Sequence, residues 1–188
     1  MSEFSALTGC KEIVITARNL CKGDFLASLK EIALRKPFSV LLREKDLPFD
    51  KYLALSREVF RICEAQGVPL IAHTHPVPGL RGLHVPMALA GAGLAQNYTL
   101  SVSVHSAQEA TRAEAMGAAF VIAGHVFSTR SKQDMPPRGL EFLKEVCDAV
   151  RIPVFAVGGI TDGNAMDCVR AGAAGVCRMS YWMESADV

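Results

Sequence analysis

Eight short apolar runs, separated by polar or helix-patterned stretches, constrain the fold of this chain more than any other feature. They read "EIVIT", "FSVLL", "PLIA", "GLHV", "LSVSV", "FVIAG", "PVFAV" and "AGVCRM". Each is too short for a helix, and most are rich in Val and Ile, so each predicts a buried strand. Between most of them the apolar residues change to helical spacing: Tyr52, Leu55, Val59 and Ile62 in one segment, Leu140, Leu143, Val146 and Val150 in another. Ser106 followed by Glu109 predicts a helix start with a capping box, and Gly67 and Gly117 stand where a helix ends in a left-handed residue. A weak internal echo, "GAAFVIAG" against "GAAGVCRM", repeats the same helix, turn and strand pattern.

Strand and helix alternating eight times predict a parallel sheet, and a small closed (β/α)₈ TIM barrel accounts for all eight units. An open doubly wound sheet is the alternative. Half of the 188 residues are hydrophobic, which suits one domain over 1–188. Two units look incomplete. Between the third and fourth runs only "HTHPVPGLR" remains, too short and Pro-broken for a crossover helix. After the eighth only "SYWMESADV" follows, so the last helix is expected to be missing. A barrel wall bare at the eighth strand would expose apolar surface, which predicts a homodimer or larger homo-oligomer.

Composition narrows the function classes. A net charge of +1 argues against a nucleic-acid or membrane-surface partner. No apolar run approaches the roughly 18 residues that span a bilayer, and "MSEFSALTGCKE" has no secretory pattern, so a cytoplasmic protein is expected. The six cysteines are scattered singly, as reduced packing residues would be.

In a parallel barrel the chemistry gathers where strands end. Four histidines follow or close a run, His73, His75, His105 and His125, and His84 lies inside the fourth. His125 has the neighbours that suit a site: Gly124 before it, then Thr129, Arg130, Ser131 and Lys132 in a polar loop fit for an anion. His73-Thr-His75 has zinc-ligand spacing but needs a third ligand from elsewhere. No Asp or Glu lies between Glu64 and Glu109, so the loops after strands three and four offer no carboxylate to a hard cation such as Mg²⁺. The "VGGI" and "RMSYW" ends place Gly158, Gly159, Met179 and Ser180 where unobstructed backbone N–H groups can cradle a phosphate. From "LLREKD", one of Arg43, Glu44 and Lys45 should point into the mouth.

Taken in order, "VITA", "LLREKD", "GLHV", "SVSVHSAQEA", "GHVFSTRSK", "IPVFAVGGI" and "AGAAGVCRMS" make the chain similar to the thiamine phosphate synthase/TenI superfamily. That resemblance implies a (β/α)₈ barrel that handles phosphorylated thiazole and pyrimidine intermediates of thiamine biosynthesis. The synthases resemble this chain at Arg43, Lys45, Thr129, Ser131 and Lys132, but usually carry proline where His125 stands and metal-binding aspartates after the third and fourth strands. Here those regions read "IAHTH" and "HVPMALA". The TenI-type thiazole tautomerases share "GHVF" and "SVHS", and the resemblance implies that His125 is the catalytic acid/base.

The resemblance further implies a substrate-binding set of Arg43, Lys45, Ser103, Thr129, Ser131 and Lys132. It gives the phosphate to Gly158, Gly159, Met179 and Ser180, with neither metal nor cofactor. The chemistry is consistent with this. Aromatising a carboxy-dihydrothiazole phosphate moves one proton from ring C2 and delivers one to the exocyclic carbon, work that an imidazole can do alone. Arg43 or Lys132 is expected to hold the carboxylate. Two other readings stand beside the tautomerase: thiamine phosphate synthase, and a non-catalytic regulatory protein that binds thiazole phosphate.

Overall fold

A closed ring of eight parallel strands, β1 to β8 in chain order, organises the computed structural model, which describes residues 10–91 and 93–184. The strands are β1 Lys11–Ile15, β2 Ser39–Leu42, β3 Leu70–His73, β4 Gly82–Pro86, β5 Thr99–Val104, β6 Phe120–Gly124, β7 Val154–Val157 and β8 Gly175–Arg178. The ring closes where Ile13 of β1 pairs with Cys177 of β8. Each of the eight apolar runs supplies one strand, and closure excludes the open doubly wound sheet.

Side chains alternate across a strand, and here the two parities build two layers. Ile13, Ile15, Leu41, Ile71, Phe120, Ile122, Phe155 and Cys177 pack together inside the barrel. Val14, Val40, Leu42, Leu83, Val102, Val121 and Val176 belong to the larger cluster between barrel and outer shell. The inward parity carries on into the mouth. Leu41 is followed two residues later by Arg43 and Ile71 by His73. On β4 and β5 the parity opposite to Leu83 and Leu100 presents His84, Ser101 and Ser103, a polar patch in an otherwise apolar lining.

The shell consists of α1 Phe25–Leu34, α2 Phe49–Ala65, α3 Ala107–Ala115, α4 Gly139–Ala149, α5 Ala165–Arg170 and α6 Ser180–Met183. Ser106 caps α3 by accepting from the Glu109 N–H at 3.1 Å, but the Glu109 carboxylate reaches the His105 N–H at 2.7 Å, one residue short of a reciprocal box. Gly67 and Gly117 take positive φ at helix ends, as expected. The third crossover has no helix, and neither does the fourth, where among the described residues only the 3₁₀ turn Met87–Leu89 forms. Val77 and Leu80 of the third crossover are buried, and Leu94 and Tyr98 of the fourth pack against the same core, so loops cover the wall instead.

In place of a full closing helix, as expected, stands α6, a single turn. Its Trp182 and Met183 are buried, Trp182 Nε1 donates to Glu12 Oε1 at 2.6 Å, and the Arg35 guanidinium lies 5.4 Å from the Trp182 ring. Val14 and Val176 beneath are fully buried within one chain. Bare apolar wall at β8 is therefore no reason for this chain to self-associate. Among the described residues no helix is long and apolar enough to cross a membrane.

Candidate functional site

The C-terminal mouth of the barrel holds a cavity of about 550 Å³. Its lining brings together Arg43 and Lys45 from the loop after β2, Ser103 from β5, His125 after β6, Thr129, Ser131 and Lys132 from the same loop, and Gly158 after β7. A second cavity of about 530 Å³ is lined by Gly158, Gly159, Met179 and Ser180, with Arg43, Thr129 and Ser131 again. The shared residues make the two one cleft with Arg43 at the junction. Every residue expected at the site from the sequence therefore lies on this cleft.

Strand parity decides among Arg43, Glu44 and Lys45. Arg43 and Lys45 face the mouth, whereas Glu44 is 5% exposed, accepting from Thr16 Oγ1 at 2.6 Å and from the Arg18 N–H at 3.0 and 3.1 Å. Burial lowers the pKa of Arg43. The charge of Arg43 first, then burial, then Lys132, lowers that of Lys45. A lysine depressed by neighbouring cations in this way is relieved when an anion enters, which favours an acidic ligand.

The opposite wall is built of neutral histidines. His84, 3% exposed, has Nδ1 2.9 Å from Ser101 Oγ and Nε2 2.7 Å from Ser103 Oγ. Burial and then the charges of His73, Arg43 and Lys45 push its pKa down to about 3. His73, with its ring 5.8 Å from that of His84, is pushed down to about 4 by burial and then by Arg43 and Lys45. Tyr52 fixes its backbone: the phenol donates to the Leu42 carbonyl and accepts from the His73 N–H, both at 2.9 Å. The helical spacing of Tyr52 gave it only a core role, and the polar handle of a buried tyrosine is the signal that points further.

His125 is 3% exposed. Its Nε2 lies 3.3 Å from the Met135 carbonyl oxygen, a long hydrogen bond, and its Nδ1 is buried with no hydrogen-bond partner among the described residues. His105 pairs instead with Glu109, Nδ1 to Oε2 3.3 Å, in a half-exposed position on the cavity rim.

The glycines after β7 also have a packing task that their sequence does not show. Both take positive φ, and a Cβ on Gly158 would overlap Cβ of His125 while one on Gly159 would overlap the Ser128 carbonyl oxygen. They let the β7 loop lie on the β6 loop, with Phe127 N–H donating to Gly158 O at 3.0 Å. Ser180 opens α6 as its first residue, with Met179 rather than Ser180 in the cap position.

Metal fit is decided by the donor set. Glu44 is the one carboxylate on the main cavity's lining, and both its oxygens are occupied. Among the described residues no three His, Cys, Asp or Glu side chains converge, so His73 and His75 lack a third ligand for zinc and nothing suits a hard cation.

The sequence model of the thiamine monophosphate synthase family matches residues 12–181. This chain belongs to that family. Over 185 residues it is 36% identical to a thiamine-phosphate synthase of Roseiflexus sp. (strain RS-1), covering 93% of this chain and 78% of that one. It is 33% identical to thiamine-phosphate synthase 2 of Streptococcus pneumoniae serotype 4, covering 88% and 83%. Among solved structures it is similar to a thiamine phosphate pyrophosphorylase from Pyrococcus furiosus, with TM-score 0.83 and 26% identity over 96% of this chain and 90% of that one.

Proposed function

We propose that this member of the family is a thiazole tautomerase of thiamine biosynthesis, converting a carboxy-dihydrothiazole ethyl phosphate to the aromatic carboxythiazole phosphate. One observation carries the reading: among the described residues the main cavity offers cations and imidazoles, and its one carboxylate, Glu44, has both oxygens engaged, a donor set for an anionic substrate and proton transfer. The phosphate sits against Gly158, Gly159, Met179 and Ser180, and the carboxylate against Arg43 or Lys132, with Lys45, Thr129, Ser131 and Ser103 around the ring. His125 exchanges its long bond to Met135 for the substrate, accepts the proton from ring C2 and returns one to the exocyclic carbon. The substrate neither gains nor loses electrons overall: one C–H bond breaks at ring C2, one forms at the exocyclic carbon, and the exocyclic double bond moves into the ring, with no other σ bond made or broken.

The names of the relatives favour a second reading, thiamine-phosphate synthase, which joins thiazole phosphate to a pyrimidine and releases diphosphate. The test is to give the purified protein each substrate set with and without EDTA. Turnover of the dihydrothiazole unaffected by EDTA is the expected result. Thiamine phosphate formation abolished by EDTA would establish the synthase, and binding of thiazole phosphate without either turnover would make the protein a non-catalytic binder.

A further inference from the structure

The outward parity of β8 ends on a charge. Arg178 points away from the barrel axis into the shell beneath α6, where its side chain is 1% exposed. Glu12 of β1 answers it, taking Nε on Oε1 and Nη2 on Oε2, the latter at 2.7 Å. One carboxylate already balances one guanidinium. A second nonetheless comes from the loop after β7: Asp162 Oδ1 accepts from Arg178 Nη1 at 2.5 Å, and Asp162 Oδ2 accepts from the Tyr181 hydroxyl at 2.9 Å. The Tyr181 ring lies 3.8 Å from the Arg178 guanidinium carbon.

Asp162 is thus not required to neutralise Arg178, and its side chain is 64% exposed. A carboxylate beside a cavity meant for an anion weakens binding by like-charge repulsion. What Asp162 does instead is join two segments. It lies three residues after Gly159, and its partners Arg178 and Tyr181 flank Met179 and Ser180. The two segments joined are the two sides of the second cavity, and both oxygens of Asp162 are engaged by donors that hold its charge in place.

We propose that Asp162 is the positioning residue of the phosphate cradle. Through Arg178 and Tyr181 it clamps the Gly158–Gly159 turn against the Met179–Ser180 segment, and so sets the preference for a phosphorylated ligand over its alcohol. The inference rests on the phosphate-binding role given to this cavity under the proposed function.

Calorimetry with thiazole ethyl phosphate and with the corresponding thiazole ethanol tests it. Wild type binds the phosphate ester far more tightly than the alcohol. Asp162→Ala loses about tenfold in affinity for the phosphate ester and little for the alcohol, as expected when hydrogen bonds to a charged group are removed from a binding loop. In turnover, KM rises while kcat at saturation stays near wild type. Asp162→Asn, which keeps an oxygen for Arg178, recovers part of the loss. Tyr181→Phe, lacking a single hydroxyl, shows a smaller loss of the same kind and decides the matter should Asp162→Ala fail to fold. A selective wild type with unchanged or tighter phosphate binding in these variants would overturn the positioning role. A wild type indifferent to the phosphate would overturn the cradle itself, and the clamp with it.

Discussion

His84 Nε2 lies 2.7 Å from Ser103 Oγ across the β4–β5 ladder, so a hydroxyl at the mouth takes its orientation from an imidazole buried beneath it. With His84 neutral, its second nitrogen engaged by Ser101 and the tilted ring of His73 beside it, this wall exists in one protonation state over a wide pH range.

Acid should therefore undo the fold through these two residues. Their folded pKa values, about 3 for His84 and about 4 for His73, lie below the ordinary histidine value of 6.5. Below pH 6.5 the unfolded chain takes protons that the folded one refuses, so stability falls as the pH drops from that point, through His73 down to about pH 4 and through His84 down to about pH 3, each contributing a slope of up to about 1.4 kcal/mol per pH unit. Urea unfolding at pH 7, 6 and 5 measures it. His84→Gln should flatten the slope, and an unchanged slope would show that His84 is not buried neutral.

Arg43 links the two walls. Its charge is among the causes that lower His73, His84 and Lys45, so Arg43→Met should raise the pKa of His73 from about 4 without restoring 6.5, because burial remains the larger cause. Titration of the histidine ring by NMR reads the shift. The same variant should bind a carboxylated thiazole phosphate about ten- to a hundredfold more weakly, the usual worth of a charge-assisted hydrogen bond. No change in either quantity would place Arg43 outside the site.

Gly159→Ala tests the close approach of two loops. The added methyl meets the Ser128 carbonyl oxygen in a backbone with φ of +64°, so a loss of about 1–3 kcal/mol in stability is expected. Thermal unfolding without ligand measures it. A neutral result would mean that the loops separate easily.

What the sequence shows and what it hides follow from the range of the interactions. The strands are legible because β-branched runs act locally, and His125 and Arg43 are legible because strand ends face the mouth of a parallel barrel. The pairing of His84 with Ser101, 17 residues apart, needs the cross-strand register, which no local pattern encodes. Glu12 and Arg178 stand 166 residues apart and meet only because the barrel closes. The missing fourth crossover helix had a signal in the glycines Gly91 and Gly93, which interrupt an otherwise helix-prone alanine-rich stretch.

The proposed tautomerase reading turns on His125, and the surroundings of that residue shape the expected outcome. Among the described residues Nε2 has only the long contact to the Met135 carbonyl and Nδ1 has no hydrogen-bond partner, so the ring contributes little to holding the loop, as the proposed proton transfer requires. His125→Asn keeps a polar side chain while removing the imidazole. A fall of about a hundredfold to ten-thousandfold in kcat is expected, with the Kd of the aromatic product nearly unchanged, as for loss of a general acid/base that contributes little to binding. His105→Asn is the control, since His105 is engaged by Glu109 at the rim, and its rate loss should be the smaller. Comparable losses in the two variants would divide the proton transfer between them. Wild-type turnover in His125→Asn would remove His125 from the reaction and leave His105 as the base.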